Sequence, residues 1–233
     1  MPRTVFILFS LFLACILSGC GPSLKDYFAG TQNYYSRVTA IDHAEVSIEP
    51  ATLPEASKST TYGKVASTVN TVSTVATYAI TTDQRERLKN IVEPERLAHR
   101  IESSFNASFS AQTQLEAVSQ SNTNPDFRIL LSVSEYGLRA ENLGSAMFFY
   151  LKSQIRVVHV ASMTTIYDNH IEIERSASDY PQISSIINDI IGAAFNLGYF
   201  FTLSDEDVTT IFEILCDDAG KLMAQYLVDD IYK

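Results

Sequence analysis

Between residues 127 and 175 three β-rich runs follow one another with almost nothing between them, and this limits the fold more than any other stretch. In the first, Phe127, Ile129, Leu131 and Val133 share one face, and the run is expected to end near Gly137. In the second, Met147, Phe149, Leu151, Ile155 and Val157 share a face. The third covers about Met163 to Arg175, with Ile171 and Ile173 alternating. A two-residue period marks strands with one buried face. Short connections between consecutive strands require antiparallel pairing. The second and third runs read as a hairpin turning at Ala161-Ser162, with Asp168-Asn169 as the alternative turn. An earlier run, His43 to Glu49, turns Ala44, Val46 and Ile48 to one side and ends at Pro50.

Helical patterns flank these strands. Asp83 to Asn90 is a polar helical stretch. Pro94 occupies a first-turn position, where a missing N–H costs nothing, and Leu97, Ile101, Phe105 and Phe109 then step by four. After Tyr180-Pro181, the residues Ile183, Ile186, Ile187, Ile190, Ile191 and Ala194 make another stripe. Ser204 with Asp207 resembles a capping box opening a last helix through Val208, Ile211, Phe212, Leu215, Cys216, Leu222 and Leu227. Segregated strands and helices imply an α+β fold. The expectation is an antiparallel sheet of about four strands, helices packed on one face, and a C-terminal helical pair. Residues 65–80, rich in Val, Thr, Ser and Ala, fit a helical stripe and, in part, a membrane-type strand; both readings stand.

The N-terminus carries a different signal. Arg3 precedes an apolar run from Val5 to Leu17 broken only by Ser10. As a helix the run spans roughly 20 Å, short of the ~30 Å hydrocarbon core. It reads as an export signal rather than a membrane span. It closes on Leu17-Ser18-Gly19-Cys20. That tetrapeptide resembles the lipobox of bacterial lipoprotein precursors. The resemblance implies diacylglyceryl transfer to the Cys20 thiol, cleavage before Cys20 and acylation of the new amino group. Gly21, where an Asp would retain an enteric-type lipoprotein in the inner membrane, implies the outer membrane, facing the periplasm. The chain then divides into a signal peptide (1–19), a tether (20–40) and one α+β domain (41–233). The tether's Tyr27, Phe28, Tyr34 and Tyr35 either meet the lipid interface or pack on the domain.

The chain has 17 Lys and Arg against 27 Asp and Glu, a net charge of −10. Of these, residues 1–19 contain only Arg3, so the processed chain is more acidic still. No basic cluster exists to displace counterions from a phosphate backbone, which argues against nucleic acid. Direct attraction to anionic lipid is likewise disfavoured, so the acyl chains do the anchoring. Lipidation of Cys20 leaves Cys216 without an intramolecular disulfide partner, on a helical apolar pattern that reads as a buried thiol.

Motifs for chemistry are sparse. His43, His99, His159 and His170 have no metal-ligand spacing. His159 and His170 flank one predicted turn, near Asp168. Glu172 and Glu174 share a strand face; paired carboxylates can do acid–base work, but beside Ile171 and Ile173 they read as the wet face of a strand. Asp217, Asp218, Asp229 and Asp230 read as solvated helix positions, with Asp217 one turn from Lys221. No nucleophile elbow, zinc-protease or phosphate-loop motif occurs. No cofactor, metal or enzymatic activity is expected. The 146–160 strand is apolar on its second face too, at Phe148, Tyr150 and Val158, beside Lys152, Gln154 and Arg156. Unless helices cover it, that face is the first candidate for partner contact.

The element order resembles small α+β lipoproteins attached to envelope transport and assembly machines, including auxiliary lipoproteins of ABC-type transporters. Thr164 to Glu174, after a long strand, is similar to the second arm of the hairpin such domains carry. The resemblance implies a non-enzymatic accessory or assembly subunit with a protein partner in the envelope. A subunit of an oligomeric secretion pore, using residues 65–80, and an apolar-ligand-binding lipoprotein are the alternatives.

Overall fold

A computed structural model describes residues 22–39, 44–48, 82–119, 125–140, 147–176 and 203–233. The signal peptide, Cys20, the 65–80 segment and the 183–194 helical pattern lie outside the described residues. The elements are α1 (Leu24–Phe28), β1 (Asn33–Thr39), β2 (Ala44–Ile48), a helical stretch α2 (82–91), α3 (Pro94–Thr113), β3 (Glu116–Ala117), β4 (Phe127–Ala140), β5 (Met147–His159), β6 (Thr164–Ser176) and α4 (Asp205–Ile231).

The architecture is α+β, with helices on one face of the sheet, but the sheet has six strands and is mixed. This corrects the expectation of about four antiparallel strands. β4, β5 and β6 form the antiparallel meander, turning at residues 160–163. β1 and β2 run parallel to β4, one behind the other: Tyr34 pairs with Phe127, and Ala44 with Tyr136. The physical reason is the return path. After β2 the chain comes back along α3 before β4 begins, and a helical crossover permits parallel pairing. Short β3 adds to β1, also parallel.

Residues 24–39, expected as part of a tether, belong to the domain. Ser23 and Asp26 cap α1 reciprocally, Phe28 stacks on Phe127 at 4.3 Å between centroids, and Tyr34 is buried edge-on to Phe109 at 5.1 Å. β1 lacks a clear apolar alternation because one inward position is Ser36. Its Oγ lies 2.9 Å from Asn106 Oδ1 on α3, so a buried hydroxyl is satisfied where an aliphatic chain would be expected.

β4 does not end near Gly137 but continues to Ala140. A bulge between Val133 and Glu135 adds one residue. Side-chain parity then flips: Phe127, Ile129, Leu131 and Val133 point into the core before it, Tyr136 and Leu138 after it. Alternation read at a fixed period loses the strand at that point.

α3 and α4 run parallel across the inner face. Arg96 and Arg100 both reach Glu213, Arg100 also reaches Asp217 at 3.5 Å, and Ser104 Oγ donates to the Asp217 carbonyl at 2.7 Å. Contacts that advance together along both helices fix the direction. Leu97, Ile101, Phe105 and Phe109 are all buried, as their spacing predicts. α4 opens with the predicted Ser204/Asp207 capping box and buries a broad stripe from Val208 to Ile231. Phe212 stands edge-on to Tyr136 and Phe149, at 5.4 and 5.7 Å. At the helix crossing, a Cβ on Gly220 would stand 2.6 Å from the Ile101 carbonyl oxygen and 2.8 Å from the Phe105 nitrogen. Only glycine lets the two backbones approach so closely.

Candidate functional site

The outer face of the sheet, opposite α3 and α4, holds the residues that the sequence offered for partner contact. On β5 it presents Phe148, Tyr150, Lys152, Gln154, Arg156 and Val158, because Phe149, Leu151, Ile155 and Val157 turn to the core. Phe148 and Val158 are half-buried and Tyr150 is buried. Phe148 and Val158 are about 33 Å apart at ~3.3 Å per residue. Polar side chains stand between them, so the three do not form one apolar patch.

What lies between is a lattice of charges. Arg139, from the far part of β4, donates Nε to Glu174 Oε1 at 2.9 Å and Nη1 to Glu172 Oε1 at 2.8 Å, and its Nη2 also meets Glu174. Glu135, beside the bulge, accepts from Tyr150 Oη at 2.7 Å and from Lys152 Nζ at 2.9 Å. The Arg139 and Lys152 cations each lie 5.4 Å from the Tyr150 ring centroid, within cation–π range. Asp168 joins Gln154 Nε2 at 2.6 Å and Arg156 Nε at 3.1 Å. Glu45 on β2 takes Arg85 from α2 at 2.6 Å.

The electrostatics follow from this geometry. Burial, and then the hydrogen bond to Glu135, push the Tyr150 phenol up, so it stays a donor. The Asp168 carboxyl is held below its ordinary range, chiefly by the Gln154 amide. Arg139 is raised by its bond to Glu174. Glu172 and Glu174 therefore act together as acceptors for one guanidinium. The arrangement can hold a rigid, polar surface. The sequence did not single out Glu135 or Arg139, because both follow or flank the bulge that shifts parity.

Other sequence candidates are dispersed. His159 turns inward, its ring 5.3 Å from Tyr27 and 5.6 Å from Phe127, with Nδ1 2.8 Å from Ser162 Oγ. His170 is exposed on the outer face and pairs across the ladder with Gln154. The two imidazoles point to opposite faces and sit about 17 Å apart along the strand at ~3.3 Å per residue. No group of three metal-ligating side chains occurs among the described residues. Cys216 is buried, and desolvation pushes its thiol well up, which suppresses the thiolate. Asp217 meets Arg100 and Asp218 meets Arg175, at 3.5 and 3.6 Å. His43 and Cys20 lie outside the described residues. No described helix is long and apolar enough to cross a membrane.

No family model matches the chain, and no curated protein matches it. Solved structures it is similar to include a Xanthomonas campestris protein of family DUF330, at 10% identity and TM-score 0.45, covering 86% of this chain and 85% of that one. A minor lipoprotein from Acinetobacter baumannii aligns at 11% identity and TM-score 0.34, over 56% of this chain and 84% of that one. The lipoprotein GNA1162 from Neisseria meningitidis aligns at 13% and 0.25, over 69% and 99%. At these scores none of the three assigns this chain a family.

Proposed function

We propose that this chain is a lipid-anchored protein of the bacterial cell envelope. In this reading it faces the periplasm from the outer membrane and acts as a non-enzymatic accessory or assembly subunit of a membrane transport or assembly complex. One observation carries the proposal: Leu17-Ser18-Gly19-Cys20 closes the apolar run, and the first helical residue of the domain, Leu24, comes only four positions later. Two or three acyl chains on one cysteine hold a protein near-permanently, because each buried methylene adds about 0.8 kcal/mol.

The accessory role draws on the domain itself. Several of its titratable groups are spent on structure: Glu135, Glu172, Glu174 and Asp168 bind cations or amides of the sheet, and the Cys216 thiol is buried. The outer face, with Phe148, Tyr150 and Val158, is the surface offered to a protein partner. Its polar lattice suits a partner that matches charges and needs no apolar groove.

The test is photocrosslinking from positions 148 and 158 of the lipidated chain in native membranes. A control crosslinker sits at Gln225, exposed on α4. A discrete adduct from the sheet positions but not from Gln225 supports the role. No adduct from either sheet position contradicts it.

A further inference from the structure

Among the described residues three large apolar side chains are exposed: Met163 at 69%, Tyr232 at 58% and Tyr226 at 43%. Met163 is distant in sequence from the two tyrosines, yet all three gather at one end of the domain. Met163 belongs to the β5–β6 turn. Tyr232 follows the last turn of α4, and Tyr226 lies about 9 Å back along that helix at ~1.5 Å per residue. The two places are tied together by Tyr167, three residues into β6, whose Oη donates to Asp230 Oδ2 at 3.1 Å.

The chain enters the domain at the same end. Tyr27 of α1 packs on His159, the last residue of β5, and Phe28 stacks on Phe127, the first residue of β4. α1 also packs on α4. The Ser23–Asp26 capping box fixes the direction from which the chain arrives. From Cys20 to Leu24 an extended chain reaches at most about 14 Å. β5 alone is ~43 Å long. A leash so short holds this end, and not the opposite one, against whatever carries the acyl chains.

Met163 adds a second observation. Its φ is 54°, a left-handed backbone in which Gly or Asn sits more comfortably than a long side chain. The turn thus projects a flexible thioether chain outward at a place where a small residue would serve the fold as well. Three acids nearby are engaged, Asp26 in the cap, Asp126 with the Gln32 N–H, and Asp230 with Lys233 and Tyr167, while Asp229 and Glu116 stand exposed. Exposed Lys25 and Arg128 stand at the same end, so the charges there are of both signs and no single-sign patch calls for a charged surface.

We propose that this end of the domain rests on a zwitterionic phospholipid surface, with Met163 and Tyr232 entering the headgroup layer beside the acyl anchor. Tyrosine suits that boundary, its ring in the apolar region and its hydroxyl in water. The inference rests on lipidation of Cys20 and adds the orientation that lipidation alone leaves open.

The sequence contains no tryptophan, so one introduced Trp is a clean reporter. Lipidated full-length Met163→Trp, Tyr232→Trp and Glu95→Trp are reconstituted into phosphatidylcholine vesicles with brominated acyl chains. Glu95 is exposed in the first turn of α3, at the opposite end. The expected result is quenching and a blue shift at 163 and 232, and an unquenched, water-exposed spectrum at 95. If 163 and 232 are as insensitive to bromine as 95, in protein that floats with the vesicles, the orientation is wrong while the anchoring stands. If 163 shifts only when envelope proteins are restored, and never quenches, a protein covers this end and the proposal fails. If the chain does not float at all, the anchoring fails first.

Discussion

Gly220→Ala sets two well-measured effects against each other, and the structure decides the sign. Replacing an interior helical glycine with alanine adds about 1 kcal/mol of helix propensity. Against this, the new Cβ would meet the Ile101 carbonyl oxygen at 2.6 Å, the Phe105 nitrogen at 2.8 Å and Ser104 Cβ at 2.9 Å. Two of the three obstacles are backbone, so no rotamer change relieves them. α3 and α4 must separate by roughly 0.5–1 Å, which forfeits a quarter to a half of each contact across the crossing. The Ser104 bond to the Asp217 carbonyl, now 2.7 Å, lengthens with it. Overpacking of this kind costs about 1–3 kcal/mol, at the upper end where backbone is hit. The net expectation is a loss of about 1–2 kcal/mol, or about 2–8 °C in Tm for a domain of this size. Thermal and urea unfolding followed by circular dichroism would measure it. Gln225→Ala, exposed on the same helix, controls for surface effects. A Gly220→Ala protein as stable as the parent, or more stable, would mean that the helices do not cross at this point.

Other outcomes follow from the same geometry. A Cβ on Gly137 would collide with the Glu45 carbonyl oxygen, so Gly137→Ala should detach β2 or unfold the domain, read as faster amide exchange at Ala44–Ile48. Burial pushes the Tyr167 phenol up to about 12. The unfolded phenol ionises near its ordinary pKa of ~10, so its contribution to stability is whole below that pH and disappears as pH rises from about 10 through about 12. Tyr167→Phe should flatten that part of the stability curve. Cys216, buried with its thiol pushed up, should resist a thiol reagent in the native domain and react fully in denaturant; fast native modification would contradict the packing.

The parts of the fold that could be read in the sequence are those governed by one period and one face. The α3 stripe from Leu97 to Phe109, the Ser204 cap and the turn at residues 160–163 all stand where the pattern places them. The β1 strand was hidden by Ser36, an inward polar group whose partner, Asn106, lies seventy positions away in sequence. The last part of β4 was hidden by the bulge at Val133/Glu135, which exchanges its faces. The parallel pairing of β1 and of β2 with β4 was hidden because pairing direction depends on how the chain returns along α3, which no strand pattern records. The outer face of β5 was legible only in part. Tyr150 bonds Glu135 and lies against the Arg139 and Lys152 cations, and of these Glu135 and Arg139 come from the shifted part of β4.

The central claim is that Cys20 carries the lipid that fixes this domain to a membrane. Intact-mass and N-terminal peptide analysis of the processed chain, extracted from bacterial membranes, tests it most directly. The account predicts a first residue Cys20 bearing a thioether diacylglyceryl group, and a Cys20→Ala variant left unprocessed and unacylated. A processed chain that begins at another residue, or one that begins at Cys20 with a free thiol, would contradict it.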